Sequence, residues 1–117
     1  MNCHKDLDVW KKAIDFSVAL YNLTSSFPDE ERYGLVSQMR RAAVSISSNI
    51  AEGAARQSEK EFVQFLYVSM GSAAEIETQL IIAERLGFVK KDNQLFTDID
   101  SLQKMLSGLI RYVKKRG

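Results

Sequence analysis

Four stretches of the chain place their apolar residues at the period of an α-helix, and none alternates as a half-buried strand would. Between about Asp6 and Ser26, Val9, Trp10, Ala13, Ile14, Phe16, Ser17, Leu20, Tyr21, Leu23 and Thr24 fall within one half of a helical wheel. Lys11, Asp15 and Asn22 lie opposite, and Asp6 suits the N-cap. The chain then breaks at Phe27-Pro28. Proline fits the first turn of a second helix, and Asp29, Glu30 and Glu31 complement that helix's positive end.

This second helix is predicted from about Pro28 to Ala54, with Leu35, Met39, Ala42, Ile46 and Ile50 as its core stripe. Gly53 reads either as its stop signal or as a tolerated glycine in the final turn. A third helix opens on Ser58-Glu59-Lys60-Glu61, a capping box, and runs to about Leu86 before Gly87. Phe62, Phe65, Leu66, Ala73, Ile76, Leu80 and Ala83 form its apolar stripe. The fourth is predicted to open at Thr97-Asp98-Ile99-Asp100, with Ile99, Leu102, Met105, Leu106, Leu109, Ile110 and Val113 on its core side. The linkers, of which Phe88–Thr97 is the longest, are short enough to make sequential helices antiparallel neighbours. The fold expected is an all-α, antiparallel up-down-up-down four-helix bundle forming a single domain over residues 1–117.

Composition changes this picture mainly by exclusion. With 45% hydrophobic and 26% charged residues the chain is ordinary globular material. No apolar run approaches the ~18 residues of a membrane span, so no membrane partner is expected. A lone cysteine, Cys3, rules out an internal disulfide framework and suits a reducing cytoplasm. The carboxylates Glu75, Glu77 and Glu84 would suit a di-iron bundle only beside Glu-x-x-His motifs, and His4 is the sole histidine. No Walker or dinucleotide glycine pattern occurs. No metal, no cofactor and no catalytic residue is therefore expected.

Two constellations exceed what amphipathicity requires. On the second helix Gln38, Arg41, Ser45, Asn49 and Glu52 form a polar stripe beside the apolar one, while Val44, Ala51 and Ala55 on the opposite side are small and uncharged. The third helix echoes the stripe with Ser72, Glu75 and Gln79, and antiparallel pairing would set Arg41 within about one turn of Glu75, where an ion pair would form. The stripe reads as an internal polar network, as a solvated flank, or as a network shared between subunits. The small apolar face predicts a homo-oligomer, and Val44→Glu is expected to shift it toward monomer.

The order of residues also resembles a known family. Phe27-Pro28, Glu31, Gly34-Leu35, Gln38, Arg40-Arg41-Ala42, Ser45-Ile46, Asn49-Ile50-Ala51-Glu52-Gly53, Phe62, Phe65-Leu66, Gly71-Ser72, Glu75 and Leu86-Gly87 are similar to the four-helix-bundle proteins encoded in intervening sequences of bacterial 23S rRNA genes. More distantly they resemble the accessory variability protein of diversity-generating retroelements. The resemblance implies a small bacterial cytoplasmic bundle assembled into a ring, commonly a homopentamer. For the retroelement relatives it implies partnership with nucleic acid or a reverse transcriptase.

Charge adds a reading of its own. The formal net charge is only +1. In an up-down-up-down bundle, however, Lys5, Lys11, Lys12, Arg56, Lys60, Arg111, Lys114, Lys115 and Arg116 would gather at one end, three more than the carboxylates expected there. The opposite end, with Asp98 among its acids, would be negative by four. A cyclic ring would align the basic ends into one phosphate-attracting face. The function expected is thus a non-enzymatic oligomeric bundle binding RNA or DNA through Arg56, Lys60, Arg111, Lys114, Lys115 and Arg116. The alternative is a protein-binding adaptor without nucleic-acid contact.

Overall fold

The computed structural model describes residues 3–116, and within them the chain forms four α-helices with no strand. They are α1 (Asp8–Thr24), α2 (Ser37–Ala54), α3 (Glu59–Arg85) and α4 (Gln94–Arg116). Each helix packs on its neighbour in sequence and α1 also packs on α4, closing a four-sided bundle. Leu20, Met39, Ile46, Ile50, Leu66, Ile76, Leu80, Ile99, Leu102, Leu106 and Val113 are fully enclosed in one core. The bundle measures 45 × 24 × 19 Å, and among the described residues no helix is long and apolar enough to cross a membrane.

Three helix starts differ from the sequence reading. Asp6 does not cap the first helix; it ends a 3-10 turn, His4–Asp6, and the half-buried Leu7 takes the N-cap position in an extended conformation. Leu7 packs against the core, and burying that side chain outweighs the carboxylate cap. The second helix is not continuous from Pro28. A 3-10 turn, Asp29–Glu31, and a π-helical turn, Arg32–Val36, precede α2, with Gly34 at a non-helical φ −109°, ψ −106°. This irregular passage lets Phe27 and Val36 both reach the core and leaves Tyr33 almost wholly exposed. The fourth helix starts a turn before Thr97. Asn93 Oδ1 accepts a hydrogen bond from Leu95 N at 2.9 Å, and the added turn buries Leu95 four residues before Ile99.

Elsewhere local rules hold. Ser58 Oγ accepts from Glu61 N at 3.1 Å, as the capping box requires. At the far end of α3, Gly87 adopts φ +82°, while Gly87 N donates to Glu84 O and Phe88 N to Ala83 O, a Schellman closure. Ser58→Ala is expected to cost about 1 kcal/mol of unfolding free energy, read from a urea melt; an unchanged midpoint would show that the cap contributes nothing.

Of the two readings of Gly53 the second holds: it is not the stop signal of α2 but a buried glycine inside its last turn, packed directly against Phe62 and Phe65 of α3. At the other end of α2, Arg40 fastens α1. Its guanidinium donates to Thr24 Oγ1 at 2.9 Å and to Tyr21 O at 3.1 Å, and lies 4.5 Å from the centre of the Tyr21 ring. A cation there also complements the negative end of α1.

Candidate functional site

The polar stripe of α2 faces α3. Ser45 Oγ accepts from Asn49 Nδ2 at 2.9 Å and from Ser72 Oγ at 3.0 Å, while Asn49 Nδ2 also reaches Ser45 O at 2.8 Å. Below it, Ser69, wholly buried, donates to Ile46 O at 2.9 Å. Gln38, Arg41, Ala42, Ser45, Ser72 and Glu75 line a cleft of about 380 Å³ between the two helices. Arg41 and Glu75 thus share a wall, but none of the ion pairs between described residues joins them. Both side chains are exposed, so hydration competes with a direct contact, and Glu75 instead accepts from Gln79 Nε2 at 3.2 Å. Gln38 and Glu52 are exposed or nearly so at the rim, and Ser45, Asn49 and Ser72 are half-buried. The network is therefore a surface seam of the single chain, with its inner hydroxyls satisfied and its charged rim open.

The basic residues divide into three places. Lys60 and Lys114 border one cleft between α3 and α4, of about 330 Å³, whose other walls are Glu59, Val63, Gln64, Tyr67 and Val113. Arg116 reaches the same cleft by pairing with Glu59. That hydrogen bond holds the Arg116 guanidinium above its ordinary pKa. Lys115 is exposed beside them. Arg56 stands apart, 4.8 Å from the Phe65 ring, and Arg111 borders a separate cleft with Met70, Gln103, Lys104 and Ser107.

The charge distribution needs one correction. Lys12, assigned to the basic end, lies 3.6 Å from Asp98, assigned to the acidic end. At ~1.5 Å per residue the 17 residues of α1 span far less than the 27 of α3. The shorter helix therefore sets Lys12 against the first turns of α4 instead of its basic tail. The cations brought together at that tail come from α3 and α4.

Residues 5–108 match the family model of the 23S rRNA-intervening sequence protein. The chain belongs to this family. A solved structure similar to this member of the 23S rRNA-intervening sequence family is described as a protein with unknown function from the S23 ribosomal protein family of Bacteroides thetaiotaomicron VPI-5482. It is 25% identical, with a TM-score of 0.81, over 88% of this chain and 95% of that one. No curated protein matches. Neither match is to the retroelement accessory protein. The family model stops within α4, short of Lys114, Lys115 and Arg116, so the basic tail of this 23S rRNA-intervening sequence protein stands on its own chemistry.

One participant escaped the sequence reading. Tyr67 is half exposed, and Lys114 Nζ donates to its hydroxyl at 2.9 Å across 47 positions of sequence. The signal for it was the antiparallel register of the third and fourth helices, which sets Tyr67, about two turns after Lys60, against the last turn of α4. Trp10 and Tyr21, the aromatics placed on the apolar half of the first helix, are engaged elsewhere, Trp10 edge-on to His4 and Tyr21 beneath Arg40.

Proposed function

We propose that this protein is a non-catalytic, homo-oligomeric helical bundle that binds RNA or DNA through the basic tail of α4 and the adjoining start of α3. The observation that carries this reading is the gathering of Lys60, Lys114 and Arg116 around one cleft, with Lys115 exposed on the same end of α4. Glu59, the carboxylate in that cleft, is already engaged by Arg116, which lowers its repulsion of a phosphate. Flexible cations on a helix end contact phosphates without reading base edges, so binding is salt-sensitive and nearly blind to sequence.

Self-association is supported by α3. Beyond the cleft, its exposed residues from Val68 to Ile82 are Val68, Gly71, Ala74, Glu75, Thr78, Ile81 and Ile82, of which Glu75 alone is charged. A solvated helix face of that length ordinarily carries many charges. A ring of five subunits, a reverse-transcriptase partner and a bacterial cytoplasmic setting rest on the resemblance, the last also on the unpaired Cys3.

The test is a titration of labelled RNA at several salt concentrations with the full chain and with a chain ending at Val113. Truncation is expected to weaken binding and to flatten the salt dependence by roughly 0.7–0.9 in log–log slope for each phosphate that is no longer neutralised. Unchanged affinity and slope would move the binding surface away from α4. Absence of binding by the full chain at low salt would favour the protein-adaptor reading.

A further inference from the structure

We propose that the cleft floored by Val63, Tyr67 and Val113 receives an unpaired nucleobase, so that the nucleic acid held at this end is single-stranded. This rests on the nucleic-acid reading above and narrows it to a substrate class. The cleft, of about 330 Å³, differs from the seam between α2 and α3 in being walled mainly by Val63, Tyr67 and Val113, with Lys60 and Lys114 beside them and its one carboxylate, Glu59, paired to Arg116. A ligand fitting both features combines a flat apolar surface with negative charge. A nucleotide in a single strand does so, because its base is free to leave the stack. A duplex offers the same phosphates but keeps its bases paired and stacked.

Tyr67 supplies the surface for stacking. The residue is 50% exposed, and its hydroxyl is held by Lys114. The ammonium is 2.9 Å from that oxygen but 5.2 Å from the ring centre, which sets it beyond the hydroxyl edge and leaves the ring face uncovered. The ring is thus oriented before any ligand arrives, so less ordering is required on binding. Lys60 and Lys114 flank the opening where the phosphates on either side of an inserted base would pass. Gln64 borders the same opening with an amide that both donates and accepts, which suits any base edge without selecting one.

The experiment compares four probes by fluorescence anisotropy on the full chain: a poly(dT) strand, an abasic strand of the same length, a duplex of matched phosphate count, and an acidic tryptophan-containing peptide. Poly(dT) is expected to bind more tightly than the abasic strand and the duplex. Tyr67→Ala is expected to weaken poly(dT) binding by roughly 5- to 150-fold with its salt slope unchanged, since stacking releases no counterions, while Tyr67→Phe, which keeps the ring and loses only the hydrogen bond that orients it, weakens binding far less. Lys114→Gln should lower the slope for every nucleic-acid probe. Equal binding of all three nucleic acids, with Tyr67→Ala neutral and Lys114→Gln still lowering the slope, would overturn the base pocket and leave the basic end standing. No binding of any nucleic acid at low salt would overturn both. Displacement of poly(dT) by the peptide at equal concentration would assign the cleft to a protein partner instead. Melting curves of the two tyrosine variants, at an exposed position, verify that loss of binding is not loss of fold.

Discussion

Gly53→Ala is expected to destabilise the bundle by up to about 2 kcal/mol, the ~1–3 kcal/mol cost of forcing one extra methyl into a packed interior less the ~1 kcal/mol that alanine gains in a helix. A Cβ at Gly53 would stand 2.7 Å from Phe65 Cβ, 2.9 Å from Phe62 Cδ1 and 3.3 Å from the Phe62 carbonyl oxygen. The first and third of these are tied to the backbone of α3, so rotating a side chain does not relieve them. Phe62 is itself only 2% exposed and has no free space to enter. The two helices must therefore separate, loosening Ile50 and Leu66 beside the contact. Alanine would ordinarily gain ~1 kcal/mol over glycine within a helix. That gain is smaller than the packing cost, so the net sign is destabilising. Urea unfolding at fixed protein concentration measures it, and a variant as stable as wild type would show that α2 and α3 have room for a methyl group between them.

Gly53 also shows where the sequence stops being legible. Its position near the end of an apolar stripe is what a stop signal looks like, and only the partner helix reveals that the glycine serves close approach. Ser58 and Gly87 were readable because each acts on its own few residues, through a serine cap and a left-handed closure. The core stripes were readable because helical period and burial are one pattern. Leu95 was missed because Thr97-Asp98 imitates a cap, and choosing between the two starts requires knowing that a further apolar side chain fits the core. The π-helical turn at Arg32–Val36 depends on how Phe27 and Val36 share that core, which no local rule encodes. The same divide separates the two sites. The α2 seam is written at spacings of three and four in one helix, whereas Tyr67 meets Lys114 only after two helices are aligned.

Gly71 and Val44 give the largest expected change in assembly. Gly71 lies in the middle of α3, and a Cβ added there would meet nothing within 4 Å in the single chain. Glycine costs ~1 kcal/mol relative to alanine at such a site, and no close approach among the described residues compensates. Close approach of a second copy supplies the missing reason, in keeping with the single charge among the neighbouring exposed residues. Val44, 42% exposed on α2, extends the uncharged surface toward α1. A stable interface buries about 800 Å² per partner, more than either residue provides alone, so the surface must include both helices and the polar seam between them. In such an interface Arg41 and Glu75, in no ion pair among the described residues, would meet their partners across subunits. Val44→Glu is then expected to convert the assembly to monomer by burying an unpaired carboxylate. Gly71→Ala separates the alternatives more finely. If the face is free in solution, the variant keeps the wild-type mass and melts higher. If the face is an interface, the variant dissociates at low concentration, and its melting temperature becomes more dependent on concentration than that of wild type. Light scattering and melts across a dilution series read both effects, and a wild-type chain that is monomeric at micromolar concentration would remove the interface altogether.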